Sequence, residues 1–198
     1  MKQERASTRS RRREVLAAAL GCFIEGDVES VSIADICERS GASVGSVYHH
    51  FGSKHGIVVA LIADGLGAHL DALEPALEQA DGDPRGGIEA VVSTLVEWIE
   101  ANPGWAMFIY ANLNHRVASS AEPIERVNRD YAQVADAFFG PLIDAGKIRA
   151  LPRECWPSLI AAPVHDYARR WLRGQVSASP SARRQVFVDA AWRVFDPE

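Results

Sequence analysis

The sequence predicts an all-α protein of about nine helices. Apolar residues recur at intervals of three and four along most of the chain, which is the spacing of one face of a helix. No segment alternates apolar and polar residues as a half-buried strand does. Gly and Pro separate the helical segments, as at Asn102-Pro103 and at Pro152. With 198 residues, 47% of them hydrophobic and 24% charged, the chain has the size and composition of a soluble globular protein.

Charge is unevenly distributed along the chain, whose formal net charge is −5. Residues 1–13 carry a net charge of +5, whereas residues 61–198 carry −6. A local basic patch of this kind favours contact between one end of the molecule and nucleic-acid phosphates. We expect residues 1–9 to form a flexible basic arm, with Arg9 and Arg11 as candidate phosphate contacts. A plain solvated tail is the alternative.

Three helical patterns follow the basic segment. Residues 10–26 form the first, and its apolar face consists of Leu16, Leu20, Phe23 and Ile24. Ser32 and Asp35 have capping-box spacing at the start of the second helix, and Gly41 can end it with a positive φ. Ser43 can cap the third, whose apolar positions i, i+3, i+4 and i+7 are Val44, Val47, Tyr48 and Phe51. Two short helices around a Gly turn are the form of a helix-turn-helix, whose second helix enters the DNA major groove.

The residue pattern of this last helix predicts which side chains would meet DNA. Its inward residues are predicted to be Val44, Val47 and Phe51. Its outward residues Gly45, Ser46 and His49 would then approach the bases, since Gly45 permits close backbone approach and His49 can bond a base edge. The candidate phosphate contacts are Ser32, Ser43, Tyr48, His50 and Lys54. Tyr48 could instead be half-buried, and His50 could pack beside Phe51.

This stretch resembles the DNA-binding domain of the TetR family of bacterial transcriptional regulators. The family pattern is roughly T-x-x-x-I-A-x-x-A-G-V-S-x-G-x-[LIV]-Y-x-[HY]-F-x-x-K-x-x-L. The positions that match it in order and spacing are Ser32, Ile36-Cys37, Ser40-Gly41-Ala42-Ser43, Gly45, Val47-Tyr48, His50-Phe51, Lys54 and Ile57. Where the residue type departs from the pattern, size class or hydroxyl is retained. The motif covers residues 32–57, and the remaining two thirds of the chain carry no such signature.

The resemblance implies a DNA-binding domain at residues 1–55 and a helical effector-binding and dimerisation domain at residues 56–198. A small, mostly apolar effector would bind inside the second domain. The candidate pocket residues are Trp98, Trp105, Phe108, Asn112, His115, Tyr131, Phe138 and His165. Each of them could equally be plain core.

The resemblance also implies a homodimer, formed by the last two long helices at Cys155–Gly174 and Ser181–Phe195. The candidate interface residues are Trp156, Ile160, Tyr167, Trp171, Phe187, Ala191 and Val194. The same apolar faces could be intramolecular core. The helix-turn-helix favours a dimer independently, because one short helix reads little sequence and a two-fold pair reads two half-sites.

A cytoplasmic, ligand-responsive regulator is therefore implied, most simply a repressor. It would bind a pseudo-palindromic operator in double-stranded DNA as a dimer, and the effector would release it. Two alternatives remain open. One is a dimeric DNA-binding regulator without an effector, and the other is an enzyme that uses the C-terminal pocket.

Other motifs in the chain favour no enzyme, cofactor or metal. Residues 41–45 read G-x-S-x-G, but they follow a polar helical segment and not the strand that a hydrolase nucleophile requires. The adjacent His49 and His50 diverge on a helix and do not converge with His55 on one ion. The cysteines Cys22, Cys37 and Cys155 include no C-x-x-C pair. No signal peptide and no uninterrupted apolar run approaching 18 residues is present, so no membrane contact is expected.

Overall fold

The computed structural model of the chain describes residues 2–113 and 121–197, and only the backbone of residues 2–9. The described residues form helices and loops without a strand, so the all-α prediction is confirmed. The helices are α1 (Lys2–Glu25), α2 (Ile33–Ser40), α3 (Val44–Phe51), α4 (Lys54–Gln79), α5 (Pro84–Ala101), α6 (Pro103–Asn112), α7 (Glu122–Asp144), α8 (Trp156–Ile160), α9 (Ala162–Leu172) and α10 (Arg184–Phe195). Only Ala161 separates α8 from α9, and together they correspond to one predicted helix.

The chain divides into two compact units. The N-terminal unit comprises Met1–Gly65 and Phe108–Glu125, and the C-terminal unit comprises Leu66–Met107 and Arg126–Glu198. Helix α4 runs without a break from the first unit into the second. The division of function after residue 55 stays a prediction, since compactness alone does not assign functions to the two units.

The N-terminal unit is built around the apolar face of α1. Its buried side chains include Val15, Leu16, Ala19, Phe23, Ile36, Val47, Ile57 and Leu61. The ring of Phe23 stacks on Phe108 with 5.6 Å between centroids. Two expectations are corrected here. The helix begins at Lys2, so the backbone of residues 2–9 is helical where a flexible arm was predicted, and Ile24 is exposed, not part of the apolar face.

Helices α3 and α4 meet at a point where only glycine fits. Gly52, at a φ of 71°, ends α3, and its N–H donates to the carbonyl oxygen of Tyr48 at 2.9 Å. A Cβ on Gly56, in the first turn of α4, would lie 1.9 Å from the carbonyl oxygen of Phe51. Real Cβ atoms do not approach another heavy atom this closely. The missing side chain at position 56 therefore lets α4 start directly against the end of α3.

Helix α4 supplies core to both units. By length and composition it is apolar enough to cross a membrane, and half of its most apolar window is buried inside the protein. Core helices of soluble proteins pass the same test, and acidic Asp64 and Asp71 interrupt its apolar positions. Among the described helices, α4 is alone in meeting these criteria.

The C-terminal unit packs α5 against α8, α9 and α10. Its buried side chains include Ile88, Val92, Leu95, Val96, Ile99, Phe139, Leu142, Val164, Ala168, Val188 and Phe195. Polar contacts join α5 to the segment around α10. Arg85 pairs with Asp189, Arg184 Nη1 lies 3.5 Å from Glu97 Oε1, and the backbone N–H of Ser181 donates to Glu100 Oε1 at 2.7 Å.

Several predicted dimer-interface residues lie in the core of their own chain. Trp156, Ile160 and Ala191 are each at most 5% exposed, so these three assignments are wrong. Trp156 also packs its ring edge-to-face with Phe139 at 5.8 Å. The others are half-buried: Tyr167, Trp171, Phe187 and Val194. Hydrophobic periodicity alone does not distinguish a face that meets the same chain from a face that meets a partner.

Candidate nucleic-acid interface

The two helices α2 and α3 are fixed locally by their caps. Ser32 Oγ accepts the N–H of Asp35 at 3.2 Å, and Asp35 Oδ2 accepts the N–H of Ser32 at 2.8 Å, which completes a capping box. Gly41 ends α2 in the left-handed region, at a φ of 65°. Ser43 Oγ then accepts the N–H of Ser46 at 3.2 Å and caps α3. These contacts set the angle at which α3 leaves the turn, as the sequence predicts.

One face of α3 projects into solvent. It consists of Val44, Gly45, Tyr48 and His49. Val44 and Tyr48 are each 50% exposed, an unusual degree for large hydrophobic side chains. The inward assignment of Val44 is therefore wrong, whereas Val47 is buried and Phe51 half-buried. An apolar side chain on this face can contact the methyl group of thymine, a chemistry that the predicted set lacked.

The middle of this face is sterically open. A Cβ on Gly45 would meet no atom within 4 Å, so nothing inside the protein requires glycine there. Glycine at this position lets the backbone of α3 approach a neighbouring surface closely. Ser46, predicted to face outward, is half-buried, and His49 is the long polar side chain of the exposed face.

The predicted phosphate contacts differ in how free their donors are. The single hydroxyl proton of Ser32 is directed to Asp35 Oδ2 at 2.8 Å, so this hydroxyl does not donate outward. The Ser43 hydroxyl accepts the cap bond and keeps its proton for an outside acceptor. His50 is half-buried with its ring centroid 6.0 Å from Phe51, which matches the alternative of packing beside that residue.

Lys54 has a structural role that sequence pattern did not reveal. Its Nζ donates to the backbone carbonyl oxygens of Glu29 at 3.1 Å and of Val31 at 2.8 Å. These carbonyls belong to the loop that precedes α2, so Lys54 ties the start of α4 to that loop. An ammonium group has three N–H donors, and two of them serve this purpose.

The basic residues of α1 fall into different environments. Arg11 pairs with Glu14 at 3.0 Å on the surface of the helix. Arg12 points inward and pairs with Asp64 at 2.7 Å. Arg13 is exposed, and the side chain of Arg9 lies outside the described part of the structure. The continuous basic run of the sequence is therefore not a continuous basic surface.

The predicted pocket residues do not form one described site. Phe108 and Asn112 belong to the N-terminal unit, and Asn112 Nδ2 donates to the Phe108 carbonyl oxygen of its own helix at 2.8 Å. In the C-terminal unit, the rings of Trp98 and Trp105 lie 6.4 Å apart. His115 lies outside the described residues.

Two further predicted pocket residues of the C-terminal unit contribute to packing and polar contacts. The ring of Phe138 packs onto the backbone of α5, since a Cβ on Gly87 would lie 2.1 Å from it. Tyr131 contacts His69, a residue that the predicted set omitted. The pocket as a whole therefore stays a prediction.

His69 is the centre of a buried polar cluster in the C-terminal unit. Its Nδ1 lies 2.6 Å from the hydroxyl of Tyr131, and its Nε2 lies 3.3 Å from the hydroxyl of Thr94. Burial, and to a lesser extent nearby His165, lowers the pKa of His69 to about 4. Burial, with a smaller effect of Arg169, lowers the pKa of His165 to about 4 as well. Both rings are therefore neutral at physiological pH.

Within residues 2–113 and 121–197, no three His, Cys, Asp or Glu side chains lie together as they would around a metal ion. The three cysteines are free and half-buried. The arrangement that stands out is the capped pair α2 and α3 with its exposed face, which suits contact with a groove of DNA.

Comparisons with known proteins give a consistent result. Residues 15–61 match the model of the family described as bacterial regulatory proteins, tetR family. The chain is 30% identical over 113 residues to the transcriptional repressor KstR2 of Rhodococcus jostii, an alignment that spans 55% of this chain and only 53% of that relative. It is 26% identical over 186 residues to the transcriptional activator FasR of Mycolicibacterium smegmatis, covering 92% of this chain and 81% of FasR.

The fold is also shared with solved structures. One is the transcriptional regulator FadR of Bacillus subtilis in complex with stearoyl-CoA, with a TM-score of 0.75, 14% identity, and coverage of 90% of this chain and 96% of FadR. At this identity the likeness concerns the fold. The family match falls on α2 and α3, the helices that carry the exposed face. The chain belongs to the tetR family of bacterial regulatory proteins and is a helix-turn-helix transcriptional regulator.

Proposed function

We propose that the protein is a cytoplasmic repressor that binds a pseudo-palindromic operator as a homodimer and is released by a small, mostly apolar molecule. The observation that carries the DNA-binding part is the exposed face of α3. Helix α3, hereafter the recognition helix, is capped at both ends and presents Val44, Gly45, Tyr48 and His49. Such a helix fits the major groove with its side chains toward base edges.

The contacts are assigned by chemistry. Val44 would meet thymine methyl groups, and His49 would bond a base edge. The free hydroxyl proton of Ser43 and the third N–H of Lys54 would reach phosphates. The side chains of Tyr48, Arg11 and Arg13 are exposed and would reach phosphates too. Ser32 is left with a capping role, because its hydroxyl donates to Asp35.

His49 gives the most specific test of this arrangement. Replacing His49 with alanine removes the long polar side chain of the exposed face without touching a buried residue. We expect a loss of discrimination at one or two base pairs of each half-site, worth about 1 to 3 kcal/mol for the preferred base. Affinities for a panel of single-base operator variants measure it. A loss equal across the whole panel would make His49 a backbone contact instead.

The dimer would use the part of α10 that remains exposed. Val186 is 62% exposed, and Ala190, one turn later, is exposed as well. An exposed valine and alanine on one helical face suit the close packing of a second copy. The half-buried Tyr167, Trp171, Phe187 and Val194 would border that contact. Buried Trp156, Ile160 and Ala191 support this face from below.

An effector is supported by family and composition. The FadR structure holds stearoyl-CoA, a long-chain acyl thioester, in a related fold. The C-terminal unit of this chain offers the aromatic side chains Trp98, Trp105, Tyr131 and Phe138 and the neutral histidines His69 and His165. An apolar molecule with one polar group matches such a lining. The relatives are transcription regulators, and we propose no enzymatic activity.

Thermal unfolding tests the effector. A ligand at one hundred times its dissociation constant stabilises the folded protein by about 2.7 kcal/mol, which for a chain of this size raises the Tm by roughly 5 to 10 °C. We expect such a shift with a member of a panel of fatty acids and acyl-CoA esters, together with loss of operator binding. A Tm that no apolar compound raises would favour a dimeric regulator without an effector.

A further inference from the structure

Arg12 stands apart from its basic neighbours. Its Nη1 donates to Asp64 Oδ2 at 2.7 Å, and its Nη2 donates to Asp64 Oδ1 at 3.1 Å. Two parallel bonds between a guanidinium and a carboxylate are the strongest common form of ion pair in proteins. The two side chains are 38% and 35% exposed, so the pair is partly shielded from water.

The same guanidinium also contacts the recognition helix. Its central carbon lies 5.8 Å from the ring centroid of Phe51, the last residue of α3. A guanidinium can pair with a carboxylate through its edge and lie over an aromatic ring through its face, which an ammonium group cannot reproduce. Arg12 therefore joins three elements of the N-terminal unit: α1, the end of α3, and α4.

We propose that Arg12 is a positioning residue for the recognition helix and does not bind phosphate itself. The proposal rests on the DNA-binding function proposed above. Asp64 holds the guanidinium, and the guanidinium holds Phe51, so the pair fixes the C-terminal end of α3 relative to α1 and α4. Gly56 fixes the same end from the other side by its contact with the Phe51 carbonyl. A carboxylate on Arg12 also competes with any phosphate for the same donors.

Salt dependence separates a positioning role from a phosphate contact. Losing one phosphate contact lowers the slope of log K against log salt by about 0.9, because one fewer counterion is released. Losing a positioning residue weakens binding while the number of phosphate contacts, and so the slope, stays the same. The neighbouring Arg13, exposed on the same helix, is the matched control for a phosphate contact.

The experiment uses the full chain and a duplex recovered by selection with the wild-type protein. We expect Arg12→Lys and Asp64→Asn to weaken specific binding alike, by about tenfold, the equivalent of 1.4 kcal/mol, with an unchanged slope. Arg13→Ala should lower the slope by about 0.9. The proposal is overturned if Arg12→Lys binds as the wild type does, if Arg12→Ala lowers the slope by about 0.9, or if Asp64→Asn strengthens binding by freeing Arg12 for phosphate.

A second measurement does not depend on DNA. Amide hydrogen exchange of the full chain should become faster at residues 48–51 in Arg12→Lys and Asp64→Asn, and should stay unchanged in Arg13→Ala. Equal protection in all four proteins overturns the positioning role. Failure of the wild type to select any duplex would instead overturn the proposed function, and the exchange measurement would still decide the role of Arg12.

Discussion

Replacing Gly56 with alanine is expected to destabilise the protein by about 2 to 3 kcal/mol and to abolish specific DNA binding. The new Cβ would lie 1.9 Å from the carbonyl oxygen of Phe51 and 3.0 Å from its carbonyl carbon. Both are backbone atoms, so α4 or the end of the recognition helix must move. Alanine gains about 1 kcal/mol over glycine in helix propensity, which is too little to offset this clash. Urea unfolding and operator titration measure the two effects.

Gly67 provides the control on the same helix. A Cβ there meets no atom within 4 Å, so Gly67→Ala carries the propensity gain without a clash. We expect stability to rise by as much as about 1 kcal/mol, with DNA binding retained. If the two alanine variants behaved alike, the steric argument at position 56 would be incorrect.

Acid is expected to destabilise the protein strongly between pH 6.5 and pH 4. The folded pKa of His69 and of His165 is about 4, below the model value of 6.5. In this window the unfolded chain binds more protons than the folded protein, so stability falls as pH falls. One histidine contributes a slope of up to about 1.4 kcal/mol per pH unit, which amounts to about 3 kcal/mol over the window. Two such groups approach the total stability of a typical domain.

His69→Gln tests this directly. Glutamine can accept from Tyr131 and donate to Thr94, but it does not titrate. The free energy of unfolding of this variant should depend less steeply on pH, by about one proton's worth between pH 4 and 6.5. His55→Gln, at an exposed position, should leave the slope unchanged. An unaltered slope in His69→Gln would mean that His69 is not buried in its neutral form.

What the sequence predicts well is local. The caps at Ser32 and Ser43 and the left-handed Gly41 depend on residues three or four apart, and they lie where their spacing indicates. Helix periodicity likewise predicts the class of the fold. It fails at Val44, the first residue of an eight-residue helix, because no neighbouring element covers that end of the apolar stripe.

What the sequence does not predict depends on distant contacts. Arg12 reads as one member of a solvated basic run, and only the fold brings it to Asp64, 52 residues away. His69 lies among the leucines of α4, and its partner Tyr131 is 62 residues away. The last helices are similar, since Trp156 and Ala191 have the spacing of any amphipathic face. Their burial depends on which surface the rest of the chain covers.

The central claim is that the exposed face of the recognition helix reads DNA. Selection of binding sequences from a random double-stranded library with the full chain tests it most directly, with Gly45→Glu as the paired variant. That position is open, so the variant should fold, while a carboxylate at the centre of the face would repel phosphates. The account predicts an enriched inverted repeat with half-sites about one helical turn apart for the wild type, and none for Gly45→Glu. Enrichment of no sequence by the wild type, or of the same sequence by both proteins, would contradict it.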